Sequence, residues 1–230
     1  MPATVAHFGE ENAYAAEAAG RLYPDAELVA CRSFADVMRV VTRGEAGCGV
    51  LPIENSLAGA IPETYDLLAH APLAIVDEVV IPVPHCLVGL PGTNIDALAR
   101  IHSHPAALAQ CRRFLSSLPD ALPDVAPSTA GAARRVAEAA DPRQAAISSR
   151  AAAQQHGLDV LLNDVSDHAQ NYTRFVAVAA HTRMDREDGR PWRTAIRFVT
   201  HHHPGALVDA IEPLGRHGVN MTSLQSRPIA

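Results

Sequence analysis

Short apolar runs alternate with amphipathic helical patterns along most of this chain, and that alternation constrains the fold more than any other feature. Strand–helix cycles of this kind specify an α/β domain with a mainly parallel sheet. "TVAHF" opens as a strand, and "SFADVMRVVTRG" follows as a helix with Ser33 as N-cap and Gly44 past its end. "CGVLPI" is a strand, and "PETYDLLAHA" a helix with Pro62 suited to its first turn. Residues 73–90 form a long extended stretch interrupted by Pro82 and Pro84. A second cycle then runs through "ARI", the helix "PAALAQCRRFLSSL", a helix capped at Ser128–Thr129, "AAI", "SRAAAQQH" closed by Gly157, and "LDVLL". "TRFVAVAA" is the last strand of this region.

Residues 182–192, within the polar "HTRMDREDGRPW", read as a linker. Beyond it a strand ("TAIRFVTHHH"), a helix stopped by Gly218 and a final strand ("VNMTSLQSRPIA") make a separate β-α-β module. The start of the chain has no basic segment leading into an apolar one, and no run approaches the roughly 18 apolar residues of a membrane span. A net charge of −6 argues against a nucleic-acid footprint. The four scattered cysteines, Cys31, Cys48, Cys86 and Cys111, read as buried free thiols of a cytoplasmic protein. All 19 basic residues are Arg. Without lysine there is no Schiff-base or P-loop chemistry, so an anionic substrate must be held by Arg, hydroxyls, amides or backbone N–H groups.

Polar residues gather at the strand ends. Glu54-Asn55-Ser56 follows "VLPI", His102-Ser103-His104 follows "ARI", Ser128-Thr129 follows a short strand, and Ser148-Ser149 follows "AAI". Ligands of open α/β sheets bind outside the carboxyl ends of strands, where helix N-termini receive anions. These ends predict a crevice for a small carboxylate or phosphate, although Ser and Thr at helix starts are individually ordinary caps. His102 and His104 lack a third ligand at a defined spacing, so no metal site is expected. Asn171, Thr173 and Arg174 instead precede a strand. That placement fits a chain crossing between two lobes, outward through 73–90 and back through 171–180, and it predicts Thr173 beside the Glu54-Asn55-Ser56 turn.

"LPIENSLAGAIPETYDLL", "IHSHPAALAQC", "STAGAA" and "NYTRFVAV", in this order, resemble the prephenate dehydratase family. "GEENAYAAEAA" resembles the family's opening motif, with Asn12 and Ala15 where a glycine and a serine are usual. The resemblance implies a two-lobed catalytic domain like type 2 periplasmic binding proteins over residues 1–181, with its site in the interlobe cleft. Lobe one would span about 1–80 plus 171–181 and lobe two about 81–170. It implies cofactor-free conversion of prephenate, a dicarboxylate, to phenylpyruvate, carbon dioxide and water. Arogenate dehydratase is the nearest alternative, and a non-catalytic solute-binding protein the alternative from another class.

The family pattern points to Thr173 as the catalytic hydroxyl, relaying a proton to the leaving hydroxyl or orienting it, with Glu54 as the runner-up acid. Asn55, Ser56, Ser103, Gln110, Thr129 and Asn171 would line the substrate site, with Phe175 beneath it. Arg174 would clamp a carboxylate or serve a structural ion pair. Residues 193–230 resemble the start of an ACT domain, a ferredoxin-like α+β module that senses phenylalanine. That likeness implies Phe contacts at Gly205, Ala206, Leu207, Asn220, Gln225, Ser226, Arg227 and Pro228, with Gln225 where Glu is usual. Only the first β-α-β of the βαββαβ order is present, so the sequence is expected to be cut short. The family also implies a homodimer or homotetramer.

Overall fold

The computed structural model describes residues 2–168, 170–180 and 193–227. The chain divides into two compact units, Met1–Asp185 and Arg186–Ala230. The first unit opens with β1 (Thr4–Phe8), α1 (Tyr14–Leu22), β2 (Glu27–Cys31), α2 (Phe34–Thr42), β3 (Cys48–Asn55), β4 (Gly59–Ala60), α3 (Pro62–His70) and β5 (Ala74–Pro82). It continues with β6 (Cys86–Gly89), β7 (Arg100–Ser103), α4 (Pro105–Gln110), α5 (Arg112–Ser116) and β8 (Leu122–Val125). α6 (Thr129–Ala139), β9 (Gln144–Ser148), α7 (Arg150–Gln155), β10 (Asp159–Leu162) and β11 (Tyr172–Ala179) complete it.

Two sheets result, each the centre of one lobe. The first has the order β2-β1-β3-β11-β5, with β4 on β3, and the second β10-β6-β9-β7-β8. β1 pairs in parallel with β2 and β3, and β7 with β8 and β9. The sheets are nevertheless mixed, which corrects the expectation of mainly parallel pairing. β11 runs antiparallel to both β3 and β5, and β6 antiparallel to β9 and β10. The cause lies in the crossings: β5 leads out of the first lobe and β11 returns beside it in the opposite direction.

The helices pack where their apolar stripes dictate. One face of the first sheet packs Val50, Ile81, Phe175 and Ala177 with α1, and the other packs Leu51, Ile53, Val176 and Val178 with α2 and α3 residues. Ser33 caps α2 by accepting from Asp36 N, and Pro62 opens α3. A Cβ on Gly49 would lie 2.7 Å from Val37 Cγ1, so only glycine lets α2 approach β3 this closely. All four cysteines are buried and free.

The helix expected over 105–118 is broken in two. Asp167 accepts from the N–H groups of Arg112 and Arg113 (3.1 and 2.9 Å) and so starts a fresh helix at α5. Gln110 thus becomes the last residue of α4, and Asp167 N donates to its backbone oxygen at 2.7 Å.

In the second unit α8 (Ala206–Arg216) forms after Gly205, whose φ of +90° suits glycine. The strands expected on either side of it are not found among the described residues. A strand persists through its ladder, and among the described residues neither segment flanking α8 pairs with a strand. Leu207 is 45% exposed, and Asn220, Gln225, Ser226 and Arg227 are exposed too. The linker residues 182–192 and Pro228 lie outside the described residues.

Candidate active site

The polar centre of the first unit is built where the two crossings meet. Val83 N, on the way out, donates to Asn171 O, on the way back, at 2.8 Å. Thr173 is paired with Asn55 across β11 and β3, and with Ile81 across β11 and β5. It lies beside the Glu54-Asn55-Ser56 turn, where a lobe crossing would place it.

A bulge aims Asn55. Residues 49, 51 and 53 of β3 face α2, and strict alternation would send Asn55 the same way. The register shifts, however: Phe175 pairs with Pro52 and Arg174 with Glu54, leaving Ile53 as the extra residue. Pro52 has no N–H to give the ladder, and a bulge beside it reverses the sides of all that follows. Asn55 therefore joins Thr173 on the α1 face, while Glu54 goes to the opposite face with Arg174.

Three buried or half-buried amides close a ring on that face. Leu57 N and Ala58 N donate to Asn55 Oδ1 (3.0 and 2.9 Å), which identifies that atom as the oxygen. Asn55 Nδ2 then donates to Asn171 Oδ1 (2.7 Å), Asn171 Nδ2 to Gln110 Oε1 (2.8 Å), and Gln110 Nε2 back to Asn55 Oδ1 (3.3 Å). Each amide donates to the next, so a single direction runs round the ring. Asn55 Nδ2 also donates to Thr173 Oγ1 at 2.9 Å. Thr173, 7% exposed, thus accepts from the ring, and its own O–H remains for another acceptor.

His85 joins this ring and was not a candidate from the sequence. Its Nε2 is 2.9 Å from Gln110 Oε1, and burial pushes its pKa down against the raising effect of that contact. A histidine between two extended runs gives no motif, so only the crossing geometry identifies it.

The other candidates fall elsewhere. Ser56 Oγ accepts from Tyr172 N (3.0 Å) and fastens the turn to β11. Ser103 is fully buried and donates to Ile147 O (2.6 Å), which ties β7 to β9. Ser128, not Thr129, caps α6; Thr129 begins the helix and its backbone oxygen accepts from Ser148 Oγ at 2.8 Å. Phe175 is buried in the core beneath the ring. Arg174 lies behind the sheet: its Nε donates to Glu78 Oε2 at 2.9 Å, its Nη2 bonds the same oxygen, and its Nη1 is 3.8 Å from Glu54 Oε2. Glu54 and Arg174 therefore face each other away from the ring, and Arg174 makes an ion pair with Glu78, the alternative to a carboxylate clamp.

Of the histidines in "HSH", His104 caps α4 through Nδ1, and His102 is buried with its Nε2 on Gln144. Among the described residues no three His, Cys, Asp or Glu side chains converge as a metal site. No described helix is long and apolar enough to cross a membrane. Between the lobes, Glu10 of the loop after β1 accepts from Arg134 Nε of α6 at 3.0 Å.

The chain is 38% identical over 225 residues to arogenate dehydratase 2 of Petunia hybrida, an alignment covering 98% of this chain and 57% of the relative. It spans between 53% and 60% of the length of the curated relatives it matches. Among solved structures, prephenate dehydratase from Arthrobacter aurescens in complex with L-Phe superposes with a TM-score of 0.83 at 30% identity, covering 98% of this chain and 76% of that one. GqqA, described as a novel type of quorum quenching acylase, superposes with a TM-score of 0.80 at 35% identity, over 98% and 82% of the two chains. The model of the prephenate dehydratase family matches residues 5–183, and the chain belongs to that family.

Proposed function

We propose that the chain catalyses the decarboxylative dehydration of prephenate to phenylpyruvate, carbon dioxide and water, with Thr173 as the catalytic group. The observation that carries this reading is the direction of the amide ring. Because Asn55 donates to Thr173 Oγ1, the threonine proton points to an acceptor outside the ring. The hydroxyl leaving prephenate is such an acceptor. As the bond to the ring carboxylate breaks, its electron pair enters the forming aromatic ring and expels the hydroxyl. A donor aimed at the departing oxygen stabilises the charge that develops there. A threonine is too weak an acid to give its proton outright near neutral pH, so it holds the leaving group while water restores the proton balance.

In this reading Asn55, Asn171 and Gln110 orient Thr173, and Ser56 and Ser103 hold the surrounding backbone. Thr129 at the start of α6 offers its hydroxyl to a substrate carboxylate, near the N–H groups of a helix N-terminus. Aromatisation drives the reaction downhill and no cofactor is called for.

Relatives are named for arogenate and for prephenate alike, and arogenate differs in carrying an amino group. An absorbance assay of both substrates decides between them: formation of phenylpyruvate supports the reading, and turnover of neither overturns it. Amide hydrolysis, suggested by the acylase relative, is not favoured, because Thr173 accepts from an amide and has no general base bonded to it among the described residues.

Residues 193–230 would form part of a phenylalanine-sensing module that joins subunits of a homodimer or homotetramer, with Gly205, Ala206, Leu207, Asn220 and Gln225–Pro228 nearest the effector. The L-Phe bound to the Arthrobacter relative supports this. Titrating Phe during the assay tests it; unchanged activity shows that control is lost in this form. The buried free thiols suit a cytoplasmic enzyme.

A further inference from the structure

His85 lies on the outward crossing between β5 and β6 and is 3% exposed. Three contacts fix its setting. Val165 N donates to its backbone oxygen at 2.9 Å, and the Tyr14 hydroxyl donates to the neighbouring Pro84 O. The Tyr14 ring meets the imidazole edge-on, with centroids 6.5 Å apart and planes at 62°. The imidazole then presents Nε2 to Gln110 Oε1 at 2.9 Å, while Nδ1 is buried without a hydrogen-bond partner.

Those facts settle where the proton sits. Gln110 Nε2 faces Asn55 Oδ1, an oxygen because two backbone N–H groups donate to it. The other end of the Gln110 amide, towards His85, is therefore oxygen, and His85 Nε2 must carry hydrogen to meet it. A lone pair at Nδ1 is then the least costly group to leave among apolar neighbours, whereas the imidazolium would bury a second, unpartnered N–H. The contact of 3.4 Å between His85 Nε2 and Asn171 Nδ2 is one of two donors sharing the same acceptor, Gln110 Oε1.

We propose that His85, as the neutral imidazole with its proton on Nε2, is a positioning residue that holds Gln110 in the orientation closing the amide ring on Thr173. With the proton on Nδ1 instead, a lone pair would face Oε1 and turn the glutamine amide over. Its oxygen would then oppose Asn55 Oδ1 and its nitrogen would oppose Asn171 Nδ2, so the ring would open at both joints. Gln110 is also the one ring member carried by the second lobe, at the end of α4. His85 therefore secures the joint through which that lobe reaches the catalytic hydroxyl. Its effect on turnover rests on the function proposed above; its protonation state does not.

Two measurements test the proposal. Long-range proton–nitrogen NMR of the 15N-labelled chain at pH 7 is expected to show His85 Nε2 as N–H and Nδ1 as a lone-pair nitrogen. A proton on Nδ1, or on both nitrogens, overturns the proposal. In the prephenate assay His85→Leu is expected to lower kcat about tenfold or more, the loss of roughly one well-placed hydrogen bond, with KM nearly unchanged. His85→Gln, whose amide can place an N–H near Nε2, is expected to recover most of that loss. A purely structural role would lower the unfolding temperature of both variants and leave kcat per folded molecule alone. Wild-type kcat in His85→Leu, or equal impairment in the two variants, refutes the positioning role. Should His85→Leu fail to fold, His85→Gln and the NMR spectrum decide. If the wild-type chain turns over neither prephenate nor arogenate, the proposed function fails while the NMR result still judges His85.

Discussion

The two faces of β11 carry polar residues one position apart and use them in opposite ways. Thr173 faces α1 and joins a ring of neutral amides, where direction is set by which atom donates and which accepts. Arg174 faces α3 and joins Glu78 and Glu54, where charge holds the sheet together. Phe175 returns to the first face as packing. Thr-Arg-Phe is thus three separate devices, and contiguity in sequence says nothing of shared purpose when a strand sends neighbours to opposite sides. A neutral network can fix the polarity of one hydroxyl without drawing a buried charge next to it, and so avoids the desolvation that a charge would incur.

The comparison breaks most readily at Thr173. Thr173→Ala removes the one donor aimed at the leaving group and is expected to lower kcat by about 10²–10³-fold, the usual effect of losing a donor to developing charge. KM and the urea midpoint should stay near wild type. A normal turnover number removes Thr173 from the mechanism. Asn55→Asp tests direction rather than presence. The substitution keeps the shape but sets an acceptor against Asn171 Oδ1 and Thr173 Oγ1, and a roughly 10–100-fold fall in kcat is expected from the misplaced hydroxyl and the broken ring. Turnover close to wild type would show that the ring does not set the polarity of Thr173.

On the opposite face the readout changes from rate to stability. Arg174→Met is expected to cost about 1–2 kcal/mol in urea unfolding, since Glu78 loses a partner while the pair remains partly solvated. Its kcat and KM should match wild type. A large rise in KM with unchanged stability would return Arg174 to the substrate and erase the distinction between the faces.

Much of the fold was legible because period and caps act locally. Ser33, Pro62 and Gly157 mark helix ends by their own chemistry, and the apolar runs at Cys48 and Tyr172 can only be buried strands. β2 (Glu27–Cys31) has no reading in the sequence although Leu28-Val29-Ala30-Cys31 is apolar; it is a short edge strand whose first four residues, Leu28 and Val29 among them, stay exposed. The site was legible as a list of residue types and much less so as geometry. Period-two counting along β3 puts Asn55 on the α2 face, and the bulge at Ile53 reverses it. Pro52, which cannot donate to the ladder, was the one signal of that reversal. The break after Gln110 depends on Asp167, some 57 positions later, and no local pattern announces a cap from so far away. His85 acquires its role only when two crossings and a helix end meet.

The smallest expected effect concerns the cost of keeping the neutral face uncharged. Burial lowers the pKa of His85, and likewise that of His7 in β1, each against a weaker raising contribution, Gln110 for the first and the Phe8 oxygen and Glu11 for the second. The groups facing His85 are the Tyr14 ring, Gln110 and Asn171, none of them a carboxylate. The unfolded chain therefore binds protons at these two sites at a pH where the folded chain does not. Stability contributed by neutral burial is complete above the unfolded value of about 6.5 and declines as pH falls below it, until the folded groups also protonate. Each histidine can contribute a slope of at most about 1.4 kcal/mol per pH unit in that window. Urea unfolding of the wild-type chain between neutral and mildly acidic pH should show the decline, and His85→Gln should flatten it by up to one proton's share, leaving those of His7 and of His104, whose pKa burial also lowers. Arg174→Met should instead lower the curve near neutral pH, where the loss is that of the ion pair rather than of a buried neutral group. An unchanged slope in His85→Gln would mean that the folded imidazole already carries its second proton, and the face behind Thr173 would then hold a charge as the face behind Arg174 does.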